Sequence, residues 1–566
     1  MCGIAGILGR AGSLNRLEAM LKAQSHRGPD NQGEFLENGK IALGHNRLSI
    51  IDLSEAGNQP FFSPDHRFCI IFNGEIYNYL ELRADLAKSH HFRTGSDTEV
   101  LLQAYIQWGV GCLDKLNGMF AFAIWDKVEE KLFAARDRFG VKPFYYSDFE
   151  DSFFFASEIP ALFAGGIEKT PKQSVWASFF SKGVYGMPDE TFWDGVYQLP
   201  AGSYLEISKA GKKISQWYFF VEAVKNLGEV SHKDEEDYIL QLMRDSIKLR
   251  FRADVPVGFN LSGGLDSSTL LALVSAENPG SESIKAFTFY TEDERYDELP
   301  WVKEMISKTN FPLNTCLLTA SEVPELTRRF SALQMEPFGG IPTLAYGKVF
   351  ERAREKGVLV LLDGQGADES WAGYDYYFQT GNSIVQGVKS SPVKADSLRK
   401  DFLGKAEYKS FPEPFSERLL NLQYRDLFYT KIPRALRFND RMSMAYSTEL
   451  REPFLDYRLV EYAFSRPENF KRKNGVQKYA LRQIANKFLG DSITLAPKRP
   501  LQTPQREWLG GELKDWSGDR IQWLAEHSSW FDKKVMLDYW DRYLKGENDN
   551  SFYIWQWINS AEILYE

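Results

Sequence analysis

The segment Leu261-Ser262-Gly263-Gly264-Leu265-Asp266-Ser267-Ser268 lies between a mostly apolar run and a run with helical spacing. Residues 255–261 are typical of a buried strand, and residues 267–276 are typical of a helix. Two glycines at the turn let the backbone approach a ligand closely, and the start of a helix presents free N–H groups with a favourable dipole. The combination of strand, glycine turn and helix therefore predicts a phosphate-binding loop.

The polar side chains of this loop refine the prediction. Ser262, Ser267 and Ser268 supply hydroxyl donors, and the loop lacks the lysine of the Walker A pattern. Asp266 would repel a phosphate unless a cation lay between them, so we expect Mg²⁺ here. A glycine-rich turn that binds nothing is the alternative.

A second polar block, Leu362-Asp363-Gly364-Gln365-Gly366-Ala367-Asp368-Glu369, follows another apolar run at residues 358–362. The ligands of an open parallel sheet gather at the carboxyl ends of its strands. We therefore expect this block to lie beside the first one, with Asp368 as a second magnesium carboxylate near Asp266.

Strand-like and helical runs alternate around both blocks. The strand-like runs are 255–261, 286–290 and 358–362, and the helical runs include 267–276 and 343–356. This alternation predicts an α/β domain with a parallel sheet and helices on both faces. From about residue 411 onward we predict a helical C-terminal part, whose aromatic residues are mostly core.

The first two hundred residues have a different pattern. Short apolar or alternating runs at 4–8, 41–51, 68–72, 120–125 and 132–135 predict strands, and residues 16–25 and 98–108 have helical spacing. This pattern predicts an α+β layered domain. Polar residues at 209–213 and 229–236 interrupt the apolar pattern, so we place a boundary near residue 215 and predict domains at 1–215 and 216–566.

Composition narrows the class of protein. The 566 residues carry a net charge of -9, which argues against a broad nucleic-acid surface, and 43% of them are hydrophobic, enough for several cores. The four cysteines are too scattered for a disulfide framework or a zinc site. No apolar run approaches the ~20 residues that span a bilayer. We therefore expect a soluble cytoplasmic protein with small-molecule or protein partners, without nucleic acid or membrane.

The chain begins Met1-Cys2-Gly3-Ile4. Removal of Met1 would give Cys2 both a thiol and a free α-amino group. The reference pKa values of the two groups, about 8.5 and 7.7–8.0, are close enough for the amine to serve as base for the thiol. Cys2 is therefore a candidate nucleophile, and a buried cysteine in an edge strand is the alternative.

Polar residues downstream provide what an acyl-transfer site needs. Asn73-Gly74-Glu75 follows the run 68–72, and an Asn amide beside a Gly N–H is suited to an oxyanion hole. Arg47 and Asp97 offer the cation and the carboxylate that recognise the two α substituents of an amino acid. Each residue alone is more typical of a surface turn.

Together these N-terminal residues resemble the class II glutamine amidotransferase domain of the N-terminal nucleophile superfamily. The matching blocks are Cys2-Gly3-Ile4, His26-Arg27-Gly28-Pro29-Asp30, Arg47-Leu48-Ser49-Ile50-Ile51-Asp52, Asn73-Gly74-Glu75-Ile76-Tyr77-Asn78, Thr94-Gly95-Ser96-Asp97 and Arg136-Asp137-Arg138-Phe139-Gly140. The resemblance implies a four-layer αββα sandwich in which Cys2 attacks the glutamine amide and releases ammonia, with Asn73 and Gly74 at the oxyanion. The implied glutamine-binding residues are Arg47, Leu48, Ser49, Ile50, Ile51, Asn73, Gly74, Glu75 and Asp97.

The glycine turn resembles the pyrophosphate-binding loop of the ATP pyrophosphatase fold, whose enzymes split ATP into AMP and pyrophosphate while adenylating a substrate. Lys478 matches the lysine that faces the phosphates in that fold. The implied ATP contacts are Leu261, Ser262, Gly263, Gly264, Asp266, Ser267, Ser268, Phe289, Asp363, Gly364 and Lys478, and the implied Mg²⁺ ligands are Asp266 and Asp368.

Two further blocks extend the resemblance to the glutamine-hydrolysing asparagine synthetase family. They are Asp440-Arg441-Met442-Ser443-Met444-Ala445 and Arg451-Glu452-Pro453-Phe454-Leu455-Asp456. In that family an internal passage carries ammonia between two active sites, and aspartate is activated as β-aspartyl-AMP. The resemblance thus implies L-glutamine, L-aspartate and ATP as substrates, and a homodimer is possible.

The chain departs from the family at one position. Many members have an acidic residue where this chain has Gln365, and an amide cannot accept a proton from ammonium as a carboxylate can. Either Glu369 or another base serves instead, or the acceptor is not free aspartate.

Three functions therefore stay open at this point. The first is ATP-dependent synthesis of L-asparagine with glutamine as nitrogen donor. The second keeps this chemistry but amidates another carboxylate, such as a uronic acid of a surface polysaccharide or a secondary metabolite. The third is a glutaminase whose second half is a non-catalytic scaffold.

Overall fold

A computed structural model describes residues 2–228, 234–278, 281, 283–379, 392–407, 409–496, 502–547 and 550–565. The first part of the chain is built mainly from strands. They are β1 (Gly3–Leu8), β2 (Asn31–Glu37), β3 (Ile41–Arg47), β4 (Phe61–Phe62), β5 (Phe68–Ile76), β6 (Gly118–Asp126), β7 (Lys131–Arg136), β8 (Tyr145–Phe149), β9 (Ser152–Ala156), β10 (Tyr197–Gln198), β11 (Ser203–Ser208) and β12 (Gly211–Gln216).

These strands form two antiparallel sheets. The first has the order β10-β8-β9-β1-β3-β2, and the second has the order β12-β11-β7-β6-β5-β4. The helices of this part are α1 (Leu14–Ala23), α2 (Tyr79–Leu86), α3 (Asp97–Trp108), α4 (Cys112–Lys115), α5 (Ile159–Ala164) and α6 (Gln173–Lys182).

Alternation along β1 explains how the layers stack. Ile4 faces the second sheet, in a core that also contains Ile71 and Trp125. Ala5 and Ile7 point the other way, toward the helix layer that contains α1 and α5. Because successive side chains of a strand face opposite sides, one strand serves both cores. With α3 packed on the outer face of β5, the order of layers is αββα, as predicted.

The second part contains a parallel sheet. Its strands are β13 (Val257–Asn260), β14 (Lys285–Tyr290), β15 (Leu313–Leu317), β16 (Val360–Leu362) and β17 (Glu449–Arg451), in the spatial order β15-β14-β13-β16-β17. The strand order reverses between β13 and β16. The two polar blocks predicted to bind phosphate and metal leave these two strands, so both lie at the switch point of the sheet.

Helices cover this sheet and form the C-terminal part. They are α7 (Phe220–Gly228), α8 (Glu235–Arg250), α9 (Leu265–Glu277), α10 (Leu299–Ile306), α11 (Val323–Gln334), α12 (Gly340–Glu355), α13 (Ala367–Ser370), α14 (Lys400–Leu403), α15 (Arg418–Arg425), α16 (Ile432–Met444), α17 (Tyr457–Ser465), α18 (Glu468–Lys471), α19 (Tyr479–Leu489), α20 (Asp491–Thr494), α21 (Gln505–Gly510), α22 (Lys514–His527), α23 (Lys533–Leu544) and α24 (Phe552–Tyr565). Within the described ranges, none of the helices combines the length and apolar character needed to cross a bilayer.

The structure corrects three predicted boundaries. The region after residue 411 is not wholly helical, because β17 joins the parallel sheet and β18 (Arg472–Lys473) pairs with β19 (Val476–Gln477). The strand predicted over 41–51 ends at Arg47, and the strand predicted over 68–72 continues to Ile76. The sequence pattern did not predict β17 because this strand has only three residues, too few to show the alternation of a strand.

A fully buried arginine joins the two parts. The Nη1 and Nη2 atoms of Arg27 donate to the two carboxylate oxygens of Asp440 at 2.8 and 3.1 Å. Nη1 also contacts Glu158 at 2.7 Å, and Nε donates to the carbonyl of Cys2 at 3.0 Å. Asp440 in turn accepts from its neighbour Arg441. Arg27 and Glu158 belong to the first part of the chain, and Asp440 and Arg441 belong to the second. The Arg27–Asp440 pair therefore forms only while the two parts are docked.

We expect Asp440→Ala to lower the free energy of unfolding by about 3 kcal/mol, because it leaves the buried Arg27 guanidinium with only one of its two carboxylates, that of Glu158. Urea unfolding followed by circular dichroism measures the change. Asp85→Ala is the control, since Asp85 and its partner Lys88 are largely exposed and surface pairs contribute little. Equal stability of Asp440→Ala and the unmodified protein would contradict this account of the interface.

Candidate active sites

Cys2 is fixed directly before β1, in the middle of the first sheet. Its backbone N donates to Asn73 Oδ1 at 3.1 Å, and its thiol lies 4.0 Å from the carbonyl oxygen of Leu48. The residue is buried, and burial raises the pKa of the thiol. A base close to the sulfur is therefore required if Cys2 is to act as a nucleophile.

Asn73 provides a hydrogen-bond donor beside Cys2. Its side chain is fully buried; its Oδ1 accepts from Cys2, while its Nδ2 has no partner among the described residues. Gly74 follows at a point where β5 and β6 run very close together, and a Cβ there would lie 2.1 Å from the carbonyl oxygen of Met119. Both residues lie inside β5 rather than after it, so the sheet holds them rigidly.

Arg47 is the last residue of β3 and organises the loop that follows. Its guanidinium donates to the carbonyl oxygens of Ser54, Ile51 and Asp52 and to Asn58 Oδ1. Within this loop, the carbonyl oxygen of Leu48 lies 4.0 Å from the Cys2 thiol. Arg47 therefore places a positive charge in this loop and holds the loop in its conformation.

Asp97 and Glu75 lie close to the same strand. Asp97 begins α3, and its Oδ2 accepts from the backbone N of Ile76 at 2.9 Å. Burial raises the pKa of Asp97 to about 6. Burial also raises the pKa of Glu75 well above its usual range, although Arg451 Nη2 lies 3.5 Å from Glu75 Oε2. The structure thus brings two carboxyl groups to the end of β5 nearest Cys2.

The glycine loop at the end of β13 already binds an anionic oxygen. The backbone N of Gly263 donates to Oε2 of Glu298 at 2.9 Å, a carboxylate oxygen at a position where a phosphate oxygen could lie. Ser267 Oγ lies 3.0 Å from Ser262 Oγ and donates to the Ser262 carbonyl. Glu298 comes from the start of α10, and no sequence pattern linked it to the loop.

Lys478 holds the two acidic residues of the polar blocks together. Its Nζ lies 2.7 Å from both oxygens of Asp266 and 2.6 Å from Oδ1 of Asp368. Lys478 is buried, whereas the side chains of Asp266 and Asp368 are about one-fifth exposed, 22% and 21%. One cation thus faces two carboxylates at the edge of a cavity.

Two adjoining cavities meet at these loops. One, of about 340 Å³, is lined by apolar and aromatic side chains including Phe289 and Tyr346. The other, of about 250 Å³, is lined by Asp266, Asp368 and Lys478. The residues lining both are Ser262, Ser267, Asp363 and Gln365. A flat apolar group and an anionic group of one ligand could therefore occupy neighbouring spaces.

The second polar block divides its side chains between these surfaces. Asp363 turns toward Tyr346, whose hydroxyl donates to it, and burial raises the pKa of Asp363. Gln365 lies on the cavity surface. Glu369 is fully buried beneath that surface, where its Oε1 accepts from the hydroxyl of Tyr374 at 2.7 Å. Of the two synthetase-site candidates, only Gln365 lines these cavities.

Comparisons with known proteins agree on both parts of the chain. A sequence model of a glutamine amidotransferase domain matches residues 1–218, and one of asparagine synthase matches residues 238–566. The glutamine-hydrolyzing asparagine synthetase 1 of Bacillus subtilis is 31% identical, over 98% of this chain and 95% of that protein. A putative glutamine-hydrolyzing asparagine synthetase 2 of Methanocaldococcus jannaschii is 36% identical, over 66% and 76%. Amidase chry2 of Gibberella zeae is 26% identical, over 91% and 90%.

We expect Gly74→Ala to destabilise the protein by more than about 2 kcal/mol, because β6 must move away from the added methyl group. The midpoint of urea unfolding measures the effect. Gly111→Ala is the matched control: it has a helical φ of -63° and open space around its Cα. Similar midpoints for the two variants would show that the β5–β6 approach is not tight.

Proposed function

Because the chain belongs to the glutamine-hydrolysing asparagine synthetase family, we propose that it makes L-asparagine from L-aspartate. It is a carbon–nitrogen ligase with glutamine as nitrogen donor, and ATP is the family's energy source. The observation that carries the proposal is the pair of adjoining cavities at the switch point, one apolar and one charged. They suit the nucleoside and the phosphates of ATP.

The glutamine half-reaction follows from the geometry around Cys2. Once Met1 is removed, the α-amine of Cys2 takes the thiol proton, and the sulfur attacks the amide carbon of glutamine. The negative charge that develops on oxygen is stabilised by Asn73 Nδ2, a donor with no partner among the described residues, and by the Gly74 N–H. The α-ammonium group returns its proton to the nitrogen, the C–N bond breaks and ammonia leaves. Water then hydrolyses the thioester to glutamate and restores the Cys2 thiol. Asp97, ionised above a pH of about 6, and the loop that Arg47 organises hold the glutamine.

The synthetase half-reaction uses the second pair of cavities. We propose that Leu261, Phe289, Asp363 and Gly364 bind the nucleoside, and that the loop containing Ser262 to Ser268 binds the phosphates with Lys478. A carboxylate oxygen of the acceptor attacks the α-phosphorus, the α–β phosphoanhydride bond breaks and pyrophosphate leaves. Ammonia then attacks the acyl carbon and AMP leaves. Exclusion of water protects the acyl-adenylate until that step.

Asp266 and Asp368 are the residues that would hold a magnesium ion beside the proposed phosphate site. Mg²⁺ is usually held by one or two carboxylates together with substrate oxygens and water. When bound, the ion neutralises charge on the pyrophosphate leaving group. Lys478 now balances both carboxylates and would turn to the phosphates.

A second acceptor is favoured by one observation. Gln365 lines both cavities, where many family members have an acidic residue, and a fungal relative is named an amidase. The alternative proposal is therefore the same chemistry on another carboxylate, such as a uronic acid or a secondary metabolite. The cytoplasmic location and the homodimer stay predictions. The four described cysteines are free thiols.

A screen of carboxylic acids tests the acceptor. Pyrophosphate release in the presence of ATP, glutamine and Mg²⁺ is measured with aspartate and with a panel of uronic and other acids. We expect aspartate alone to support release. Release with a different acid would select the alternative. Ammonia production that is unaffected by ATP and every acid would leave a glutaminase with a scaffold half.

Cys2→Ala should abolish the use of glutamine while amide synthesis from added ammonium continues, because the synthetase site keeps all of its residues. Glutamate release and amide formation are measured in parallel with each nitrogen source. Cys112→Ala, which removes a buried thiol in α4, is the control and should use glutamine normally. Loss of both activities in Cys2→Ala would contradict a two-site enzyme.

Asp266→Asn should stop ATP cleavage and spare basal glutamine hydrolysis, because the removed charge belongs to the metal site. Acid-dependent exchange of labelled pyrophosphate into ATP measures the first activity, and glutamate release measures the second. Asp293→Asn, in the loop after β14 and paired with Arg295, is the control. Retained exchange in Asp266→Asn would count against the magnesium assignment.

A further inference from the structure

Glu452 is a buried carboxyl group at the boundary between the two parts of the chain. It directly follows β17, next to the second polar block, since the backbone N of Asp363 donates to the carbonyl of Arg451 at 2.9 Å. The side chain is 5% exposed. Within the described part of the chain, no hydrogen bond to this carboxylate is formed. A buried polar group without such a bond is costly, so its presence calls for a reason.

The carboxylate faces a cavity of about 20 Å³ that both parts of the chain line. The first part contributes, among others, Gly118 and Met119, which pair with Ile76 and Glu75 in the β5–β6 ladder. The cavity therefore lies one strand away from Asn73 and Gly74. A volume of 10–15 Å³ on this measure is about what one water molecule needs, so a single ammonia molecule has room here.

The other wall of the cavity leads to the synthetase site. Leu455 lines the cavity and packs against Gly366, where a Cβ would lie 2.4 Å from the Leu455 side chain. Gly366 follows Gln365, one of the four residues that line both of the adjoining cavities. The cavity with Glu452 thus lies between the oxyanion strand and the loop at which the acyl group would be attacked.

Burial of Glu452 favours its protonated form near neutral pH. Burial raises the pKa of Glu452 to about 8, Asp363 and Asp137 add to the rise, and Lys142 and Arg250 oppose it. With this pKa, about one Glu452 side chain in ten is ionised at pH 7, and the ionised fraction, which grows as pH rises through 8, can take a proton from ammonium.

We propose that Glu452 is the proton acceptor for the nitrogen nucleophile, replacing the acidic side chain that the family has at the position of Gln365. The proposal rests on the synthetase function proposed above. Ammonium loses one N–H proton to the Glu452 carboxylate, and neutral ammonia moves to the acyl-adenylate. The C–N bond forms, the C–O bond to AMP breaks, and the second proton leaves with the AMP phosphate. Glu452 then returns its proton to water.

Comparing two nucleophiles in Glu452→Gln tests the proposal. Ammonium must lose a proton before it attacks, whereas hydroxylamine is neutral at pH 7. We expect the rate with ammonium at pH 7 to fall about 10²-fold, the rate with hydroxylamine to change little, and the ammonium defect to shrink as pH rises. Glu452→Asp should recover part of the ammonium rate, because it restores a carboxylate.

Glu461→Gln is the matched control. Glu461 is also a buried glutamate at this boundary whose pKa is raised by burial, but its carboxylate accepts from the hydroxyl of Tyr218 at 2.7 Å. Its ratio of ammonium to hydroxylamine rates should equal that of the unmodified protein. The proposal would be overturned if Glu452→Gln lowered the rates with ammonium and with hydroxylamine equally, or lowered neither rate.

Acid-dependent exchange of pyrophosphate into ATP distinguishes a failure of the proposed role of Glu452 from a failure of the proposed synthetase function. Exchange precedes the nitrogen step, so it should persist in Glu452→Gln and shows that the synthetase site is folded. One outcome is that the unmodified protein shows exchange while Glu452→Gln keeps the unmodified ratio of ammonium to hydroxylamine rates. That result refutes only the role of Glu452. Absence of exchange with every acid in the unmodified protein refutes the synthetase function, and the role of Glu452 with it.

Discussion

The bond between Arg27 and Asp440 is the contact on which both sites depend. Arg27 holds the carbonyl of Cys2 with one nitrogen and the carboxylate of Asp440 with the other two. A guanidinium removed from water keeps its charge only if acceptors surround it, so its position is determined by groups from both parts of the chain. Cys2 and the strand β1 that follows it are consequently anchored to α16, more than four hundred residues along the chain.

A second buried arginine repeats this arrangement nearer the oxyanion strand. Arg451 lies between Glu75 and Glu449, and its Nη1 donates to the carbonyls of Arg250 and Arg252. Glu75 belongs to β5 and Arg451 to β17, so this contact sets how far the glutamine site stands from the parallel sheet. Separation of the two parts would expose or orphan these charges, which explains why a boundary so rich in ions is also closely packed.

The local pattern was enough to predict a layered α+β part followed by a parallel α/β sheet, and the family resemblance implied the αββα order of layers. The roles of the site residues stay predictions. Three features were found from consecutive residues: the glycine turn, the block at 362–369 and the N-terminal cysteine. In each case a short motif lies next to a strand, and the sequence shows the motif and the strand together. Glu298 and Tyr346 were missed because only the folded sheet brings them to the loops. Glu452 lay within a block that the sequence did single out. Its lack of a hydrogen bond depends on the cavity, which no linear pattern encodes.

The carboxylate of Glu298 on the Gly263 amide has a consequence for how the loop meets its ligand. If a phosphate oxygen binds at that amide, as proposed, it displaces the Glu298 carboxylate, so binding there would exchange one anion for another. A small inorganic anion would gain only that exchange. A nucleotide would also fill the neighbouring apolar cavity, so ligand size as well as charge would decide which anion replaces Glu298.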